Sequence, residues 1–386
     1  MYKELISFIK DLYGPSESIP LHRPYFLGNE KKYLNEVIDS TYVSSIGEEV
    51  KLFEQNISLF TGVKYAIAVS NGTSALHLAL RAAGVEKNSE VLTQSLTFVA
   101  TCNAIRYCGA EPIFIDVSSK SASLDKNCLQ EFLLKHTEMR EDGYCWNKRT
   151  QKKIIACLPM HTFGLSAESD EIWSICKRYN IKLIEDCAES LGSFYKKRHT
   201  GYFGDLATLS FNGNKIITTG GGGMVLTNKK KLAEVVRHLS TTAKKNLSWD
   251  FYHDQVGFNY RMPNLNAALG LAQLELLPKF LENKRGIAKK YHNWGEENGV
   301  TFLKEPENTK SNYWLNILIS KNESEKNKIL KETNKRNIYT RPAWIPMHKL
   351  PMFKKNQKDH LSQTNWFFER IVSLPSSINI DEKGSF

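Results

Sequence analysis

IKLIEDCAESLGSFYKKRHTGYFGDLATLSFNGNKIITTGGGGM, from Ile181 to Met224, holds two apolar runs and the start of a third within 44 residues. The first run ends in an acid, Asp186. The second, LATLSF (206–211), closes on Ser210 and is followed by a lysine, Lys215. Four glycines, Gly220–Gly223, lead into the third, GGMVLT (222–227). Apolar runs this short, without polar alternation, read as strands covered on both faces. Taken singly, the other features have ordinary explanations: a helix N-cap or solvated strand end for Asp186, a surface turn for Lys215, a flexible hairpin for the glycines.

The same rhythm extends in both directions. YAIAVSNGTSALHLALRAAG (65–84) is a strand, a small-residue turn and an apolar helix closed by Gly84. VLTQS (91–95), TFVATCNAIRYCG (97–109), EPIFIDV (111–117) and KKIIACLPM (152–160) continue it, with a helix over about 168–178. Strands alternating with helices predict an α/β fold with a mostly parallel, seven-stranded sheet covered by helices. Helical spacing also marks residues 2–13, 31–40, 47–62 and 232–240. Residues 132–151 read as a helix end and surface loop, and 240–262 as an irregular aromatic loop entering a helix at about Pro263. Beyond about residue 280, a helix (284–299), the strand WLNILIS (314–320), a helix near 323–334 and a terminal IVSLPSS suggest a smaller C-terminal α/β domain. The expected division is an N-terminal helical extension (1–20), a large domain (21–245), and a crossing loop with the small domain (246–386).

Composition narrows the class. A chain of 386 residues, 41% hydrophobic and 24% charged, can bury a large core. The formal net charge of +11 is spread over scattered lysine pairs and forms no basic stripe with interleaved aromatics, which argues against nucleic acid and suits an anionic small ligand. Seven cysteines, with no CxxC pair, predict buried free thiols in a reducing compartment. No run approaches the length of a membrane span and MYKELISFIKDLYG lacks a leader's apolar segment, so the expected location is cytoplasmic.

Jointly, the features of the opening stretch say more. In a parallel sheet Asp186, Ser210, Lys215 and the helix start at Gly72-Thr73-Ser74 can converge over the carboxyl ends of the strands, where ligands bind. An acid to hold a ring nitrogen protonated, an amine to form a Schiff base and a helix N-terminus for a phosphate are the demands of pyridoxal phosphate. SNGTSAL has one of the glycines of a dinucleotide GxGxxG, and GNK lacks the spacing and the Ser/Thr of a Walker A loop.

RPYFLGNE, SNGTSALHLAL, TFVATCNAI, PMHTFG, IEDCAES, LSFNGNK, GGGGMV, GFNYRMPNLNAALG and RPAWIPMH, in this order over about residues 20–380, resemble the DegT/DnrJ family of nucleotide-sugar aminotransferases. That family belongs to the aspartate aminotransferase superfamily of fold type I. The resemblance implies catalysis by Lys215 and Asp186: Lys215 forms the Schiff base and then moves protons, and Asp186 pairs with the pyridinium nitrogen. It implies that Phe98 stacks on one ring face and Ala188 supports the other. Gly72, Thr73 and Ser210 would bind the phosphate, with Ser74, His161, Glu189 and Asn212 close to the cofactor. Asn259 would reach the cofactor of a neighbouring subunit, making the site shared within a homodimer. Arg261, Arg341 and His348 are expected to be structural or on the substrate side.

The chain departs from the family where Glu189 replaces His or Gln and where Gly220–Gly223 replace GEGG. Lys215, in place of the histidine of related sugar dehydratases, implies transamination, with the cofactor passing through pyridoxamine phosphate. The donor implied is L-glutamate, leaving 2-oxoglutarate. The acceptor implied by TYVSSIGEE, LTQSLTFVATCNAI and GGGGM is a UDP-linked 4-keto-6-deoxy-N-acetylhexosamine, of the UDP-N-acetylbacillosamine and legionaminic acid type used in bacterial surface glycans. GDP-4-keto-6-deoxymannose is the alternative acceptor. A regulator that binds the cofactor without turnover, and a nucleic-acid-binding scaffold, are the rivals from other classes.

Overall fold

The computed structural model describes residues 2–14, 16–247 and 249–379. Its principal sheet is built from seven strands: β1 (Tyr65–Val69), β2 (Glu90–Gln94), β3 (Glu111–Ile115), β4 (Lys153–Leu158), β5 (Lys182–Asp186), β6 (Leu206–Ser210) and β7 (Gly223–Thr227). They lie in the order β1-β7-β6-β5-β4-β2-β3. Only β7 runs against its neighbours, pairing antiparallel with β1 and β6, while β6-β5-β4-β2-β3 are parallel. The mostly parallel sheet is therefore present. It is extended beyond β4 by Cys145–Asn147, which pairs with Thr137–Met139. That hairpin corrects the surface loop expected for 132–151; three-residue strands carry too little period-two pattern to be seen.

Eleven α-helices are present among the described residues: α1 (Tyr2–Tyr13), α2 (Glu30–Ser40), α3 (Glu48–Thr61), α4 (Gly72–Ala82), α5 (Val99–Tyr107), α6 (Lys126–His136), α7 (Ser169–Arg178), α8 (Lys230–Ser240), α9 (Asn264–Asn298), α10 (Glu323–Asn334) and α11 (Ser362–Phe368). Both sheet faces are covered, which is why its strands are rich in apolar residues without strict alternation. Leu76 and Leu80 of α4, Ile105 of α5 and Val236 of α8 pack with Ile67, Val91 and Leu206. On other parts of the sheet, Phe53 and Ile57 of α3 meet Ala267 and Leu277 of α9, and Leu129 and Leu133 of α6 meet Ile172 and Ile175 of α7.

The long helix α9 corrects a second expectation. It runs 35 residues through Pro278, where the sequence had suggested two helices. Proline removes one helical N–H and crowds the preceding turn. Here the flanking Leu277 and Phe280 are buried in the core, and their packing carries the helix across the interruption. Within the aromatic loop, Lys244–Leu247 and Asp250–His253 form a hairpin.

The C-terminal part holds a four-stranded sheet of short strands, β8 (Thr301–Phe302), β9 (Asn316–Ile319), β10 (Arg341–Pro342) and β11 (Ile371–Leu374), in the order β8-β9-β11-β10. Only β9 and the terminal IVSL were visible as apolar runs, because two-residue strands have no period. Leu5 and Ile9 of α1 pack with Ile287, Tyr291, Ile329 and Val372, so the N-terminal helix belongs to this second core. All seven cysteines are free thiols; six are buried and Cys128 is half-buried. Among the described residues no helix is long and apolar enough to cross a membrane.

Candidate active site

Over the carboxyl ends of β5 and β6 lies a cavity of about 300 Å³. Of the residues predicted from sequence, it brings together Gly72, Thr73, Phe98, Asp186, Ala188, Glu189, Ser210, Asn212 and Lys215.

One wall is the start of α4. Asn71 is its N-cap, and its Oδ1 accepts the Ser74 N–H at 2.8 Å. This uses the Ser74 donor in the helix, while the N–H groups of Gly72 and Thr73 keep no helical acceptor at the cavity wall. Two glycines permit the close approach. A Cβ on Gly72 would stand 2.9 Å from Cβ of Ser210, and one on Gly223 would stand 2.4 Å from the Asn71 carbonyl. Gly223→Ala is therefore expected to lower stability by about 1–3 kcal/mol through overpacking and to displace the start of α4. Urea unfolding checks the first effect and affinity for a phosphate ester the second.

Asp186 closes β5 and is 2% exposed. Its Oδ1 accepts the Ala188 N–H (3.1 Å) and its Oδ2 accepts the Thr101 hydroxyl (2.9 Å). Burial raises its pKa, against the opposing pull of those two donors and of Lys215. The result is a desolvated carboxylate with spare acceptor capacity at the cavity floor, the arrangement that receives a protonated ring nitrogen.

Lys215 lies in the turn after β6, its N–H donating to the Asn212 carbonyl at 2.9 Å. Nζ sits 3.7 Å from Oε1 of Glu189 and 4.3 Å from the centre of the Trp314 ring. The Trp314 indole N–H donates to the Asn214 carbonyl at 2.8 Å, tying this turn to the start of β9. Glu189 also accepts the Phe163 N–H at 2.9 Å. Burial pushes the Glu189 pKa up to about 7, although the Lys215 charge and the Phe163 N–H oppose it.

That shift has a stability consequence. An unfolded glutamate loses its proton near the ordinary 4.5, whereas folded Glu189 keeps it to about 7. Between those values the folded state binds the extra proton, so this group's contribution to stability falls as pH rises and levels off above about 7. In the ligand-free protein, the stability of wild type minus that of Glu189→Gln should fall through this window. A pH-independent difference in urea midpoints would contradict it.

Three predicted residues stand off the cavity wall. His161 is fully buried and its Nδ1 accepts the Ala167 N–H, which leaves Nε2–H directed at Glu185 (3.1 Å). Both of its ring nitrogens are used within the protein, so it stands behind the cavity wall rather than on it. Ser74 is buried behind the cap, its hydroxyl 3.2 Å from that of Ser70. Asn259 is exposed, in a bridge to Thr241, and does not line the cavity of its own chain. Arg261 bridges Val69, Arg341 is exposed on β10, and His348 is buried with Nδ1 on the Ser95 hydroxyl (2.8 Å); none lines the cavity.

The sequence list omitted Asn71, Thr101, Met160, Asn214, Trp314 and Trp344, which do line it. Asn71 could have been found as an N-cap before a helix. Thr101, one turn beyond Phe98 on α5, and Trp314, a hundred residues from the Asn214 carbonyl it binds, carry no local signal. Trp344 stacks on Phe163, with ring centres 5.1 Å apart, and meets Phe98 edge-on.

Comparison with known proteins places this geometry. Residues 26–384 match the model of the DegT/DnrJ/EryC1/StrS aminotransferase family. The chain is 36% identical to the GDP-perosamine synthase of Escherichia coli O157:H7, over 94% of each chain. It is 35% identical to that of Vibrio cholerae, over 93% of this chain and 94% of the other. Among solved structures, Helicobacter pylori PseC, an aminotransferase involved in the biosynthesis of pseudoaminic acid, superposes with a TM-score of 0.84 at 25% identity, covering 95% of this chain and 96% of that one. The architecture is that of fold type I, and the chain belongs to the DegT/DnrJ/EryC1/StrS family of pyridoxal-phosphate-dependent sugar aminotransferases.

Proposed function

We propose that this aminotransferase moves the amino group of L-glutamate to the C4 keto group of a nucleotide-linked 4-keto-6-deoxyhexose. The observation that carries the chemistry is the convergence of Lys215, Asp186 and the open first turn of α4 on one cavity. The donor set fits pyridoxal 5'-phosphate: helix N–H groups for a phosphate dianion, a buried carboxylate for a pyridinium, and an amine for an aldehyde. Bound there, the cofactor supplies a carbonyl carbon that exchanges amino groups and a ring that takes up the electron pair of a broken C–H bond.

The chain's own residues do the rest. Gly72 and Thr73 N–H groups, with Ser210, would hold the phosphate. Asp186, oriented by Thr101 and the Ala188 N–H, would keep a negative charge for the ring nitrogen. Phe98 and Ala188 would flank the ring. Lys215, when free, takes or gives a proton at Nζ, and Glu189, with its pKa near neutrality, is placed to exchange that proton. A second copy of the chain, contributing Asn259, completes the site in our reading.

The relatives from E. coli and V. cholerae, both named GDP-perosamine synthases, favour a GDP-linked 4-keto-6-deoxymannose as acceptor. The sequence blocks quoted above favour a UDP-linked 4-keto-6-deoxy-N-acetylhexosamine. Purified protein with pyridoxal phosphate, L-glutamate and each keto sugar separates them by 2-oxoglutarate release. Turnover of the GDP-linked sugar is expected. Turnover confined to the UDP-linked sugar would transfer the assignment to it, and turnover of neither would sink the acceptor class.

A further inference from the structure

Far from the cavity in sequence, the segment 357–360 runs along β3, the edge strand of the principal sheet. The Phe114 N–H donates to the Gln357 carbonyl (3.0 Å), and the Asp359 N–H donates to the Phe114 carbonyl (2.8 Å). Immediately after this docking point, His360 turns its ring toward α6. Its Nε2 lies 4.0 Å from Sγ of Cys128 and 3.8 Å from Oδ1 of Asp359. One ligating atom from each of the three residues lies within 4.8 Å of the others.

We propose that Cys128, Asp359 and His360 bind one divalent cation of the zinc class, which staples the 357–360 segment to α6. A sulfur, a nitrogen and an oxygen donor make a set suited to a borderline-soft ion, with water in the fourth position. Bond lengths to zinc set tetrahedral separations of about 3.6 Å for S···N and about 3.4 Å for N···O. The S···N and N···O distances found exceed these by about 0.4 Å, and the sulfur and oxygen donors lie within 4.8 Å of each other. The other ring nitrogen is already engaged: His360 Nδ1 lies 3.2 Å from Oδ2 of Asp116, 3.3 Å from the Ser362 hydroxyl and 3.4 Å from the Ser362 N–H. Asp116 is fully buried and is itself held by the Gln363 and Thr364 N–H groups at 2.8 Å. A carboxylate behind a ligating histidine fixes its ring and raises its basicity.

Binding exchanges the Cys128 thiol proton for the metal: the S–H bond breaks, a metal–sulfur bond forms, and one proton leaves to solvent. Because 357–360 and α6 are joined only in the folded chain, the ion stabilises that junction.

The test uses the cofactor-loaded protein, dialysed against chelator and then titrated with Zn²⁺ or Co²⁺. One equivalent should bind and raise the melting temperature. Cobalt should give a thiolate charge-transfer band and visible d–d bands, read as a difference spectrum against the cofactor's own absorption. Cys128→Ser should abolish the charge-transfer band, and both it and His360→Ala should weaken zinc binding by at least about tenfold. The cofactor's absorption, unchanged in both variants, shows that the fold survives. Absence of stoichiometric binding, or binding that neither substitution alters, overturns the site.

Discussion

Lys215→Ala is expected to lower transamination at least about 10⁴-fold, since in the proposed reaction Lys215 is both the covalent attachment point and the general acid–base. The spectrum carries the sharper evidence. Wild type mixed with pyridoxal phosphate should acquire a protein-bound visible band that shifts on adding glutamate. The alanine variant should show only the spectrum of free or loosely held cofactor. Lys215→Arg separates nucleophile from charge: it keeps a cation beside Glu189 and the Trp314 ring but offers no amine for Schiff-base chemistry. Retention of more than about a hundredth of the activity in either variant would remove Lys215 from the reaction.

Asp186→Asn should cost about 10²-fold or more in kcat, because a neutral amide of the same shape no longer opposes the ring nitrogen's charge in a site from which water is largely excluded. The visible band should persist, since the attachment point is untouched, and this distinguishes the two losses. Asp186→Ala should be worse for the fold. It leaves the Thr101 hydroxyl and the Ala188 N–H without their acceptor, at about 1–3 kcal/mol for each group that water cannot reach. If the asparagine variant turned over like wild type, Asp186 would be a structural acceptor only.

The parts of this site legible in the sequence were those written next to a strand end. Asp186 and Ser210 announce themselves because they close the short, largely apolar strands β5 and β6, and Lys215 because it stands in the turn that follows β6. Gly72 and Thr73 are legible because a helix start after a strand is an anion site whatever the fold. Trp314 was hidden because its contact with Lys215 depends on how β9 is hung against the principal sheet, which no local period encodes. His161 stands off the cavity wall for a related reason. Its motif sits beside the strand that carries Asp186, yet the ring turns away to Glu185, and only the placement of the Ala167 N–H decides that. The smaller sheet was underread because β8 and β10 are two residues long and owe their pairing to neighbours rather than to their own composition.

The antiparallel strand β7 has a consequence for how the protein is made. It is hydrogen-bonded on one side to β1, with Tyr65 opposite Thr227 and Val69 opposite Gly223. The start of α4 is shaped by that contact, since Gly223 sits against Asn71. This end of the cavity therefore cannot form on the growing chain until the more than 150 residues that separate the two strands in sequence have been synthesised. Contacts of such high sequence separation are late events in folding. Capture of cofactor during refolding should accordingly lag behind the gain of helical signal, making the ligand a reporter of the last strand's arrival.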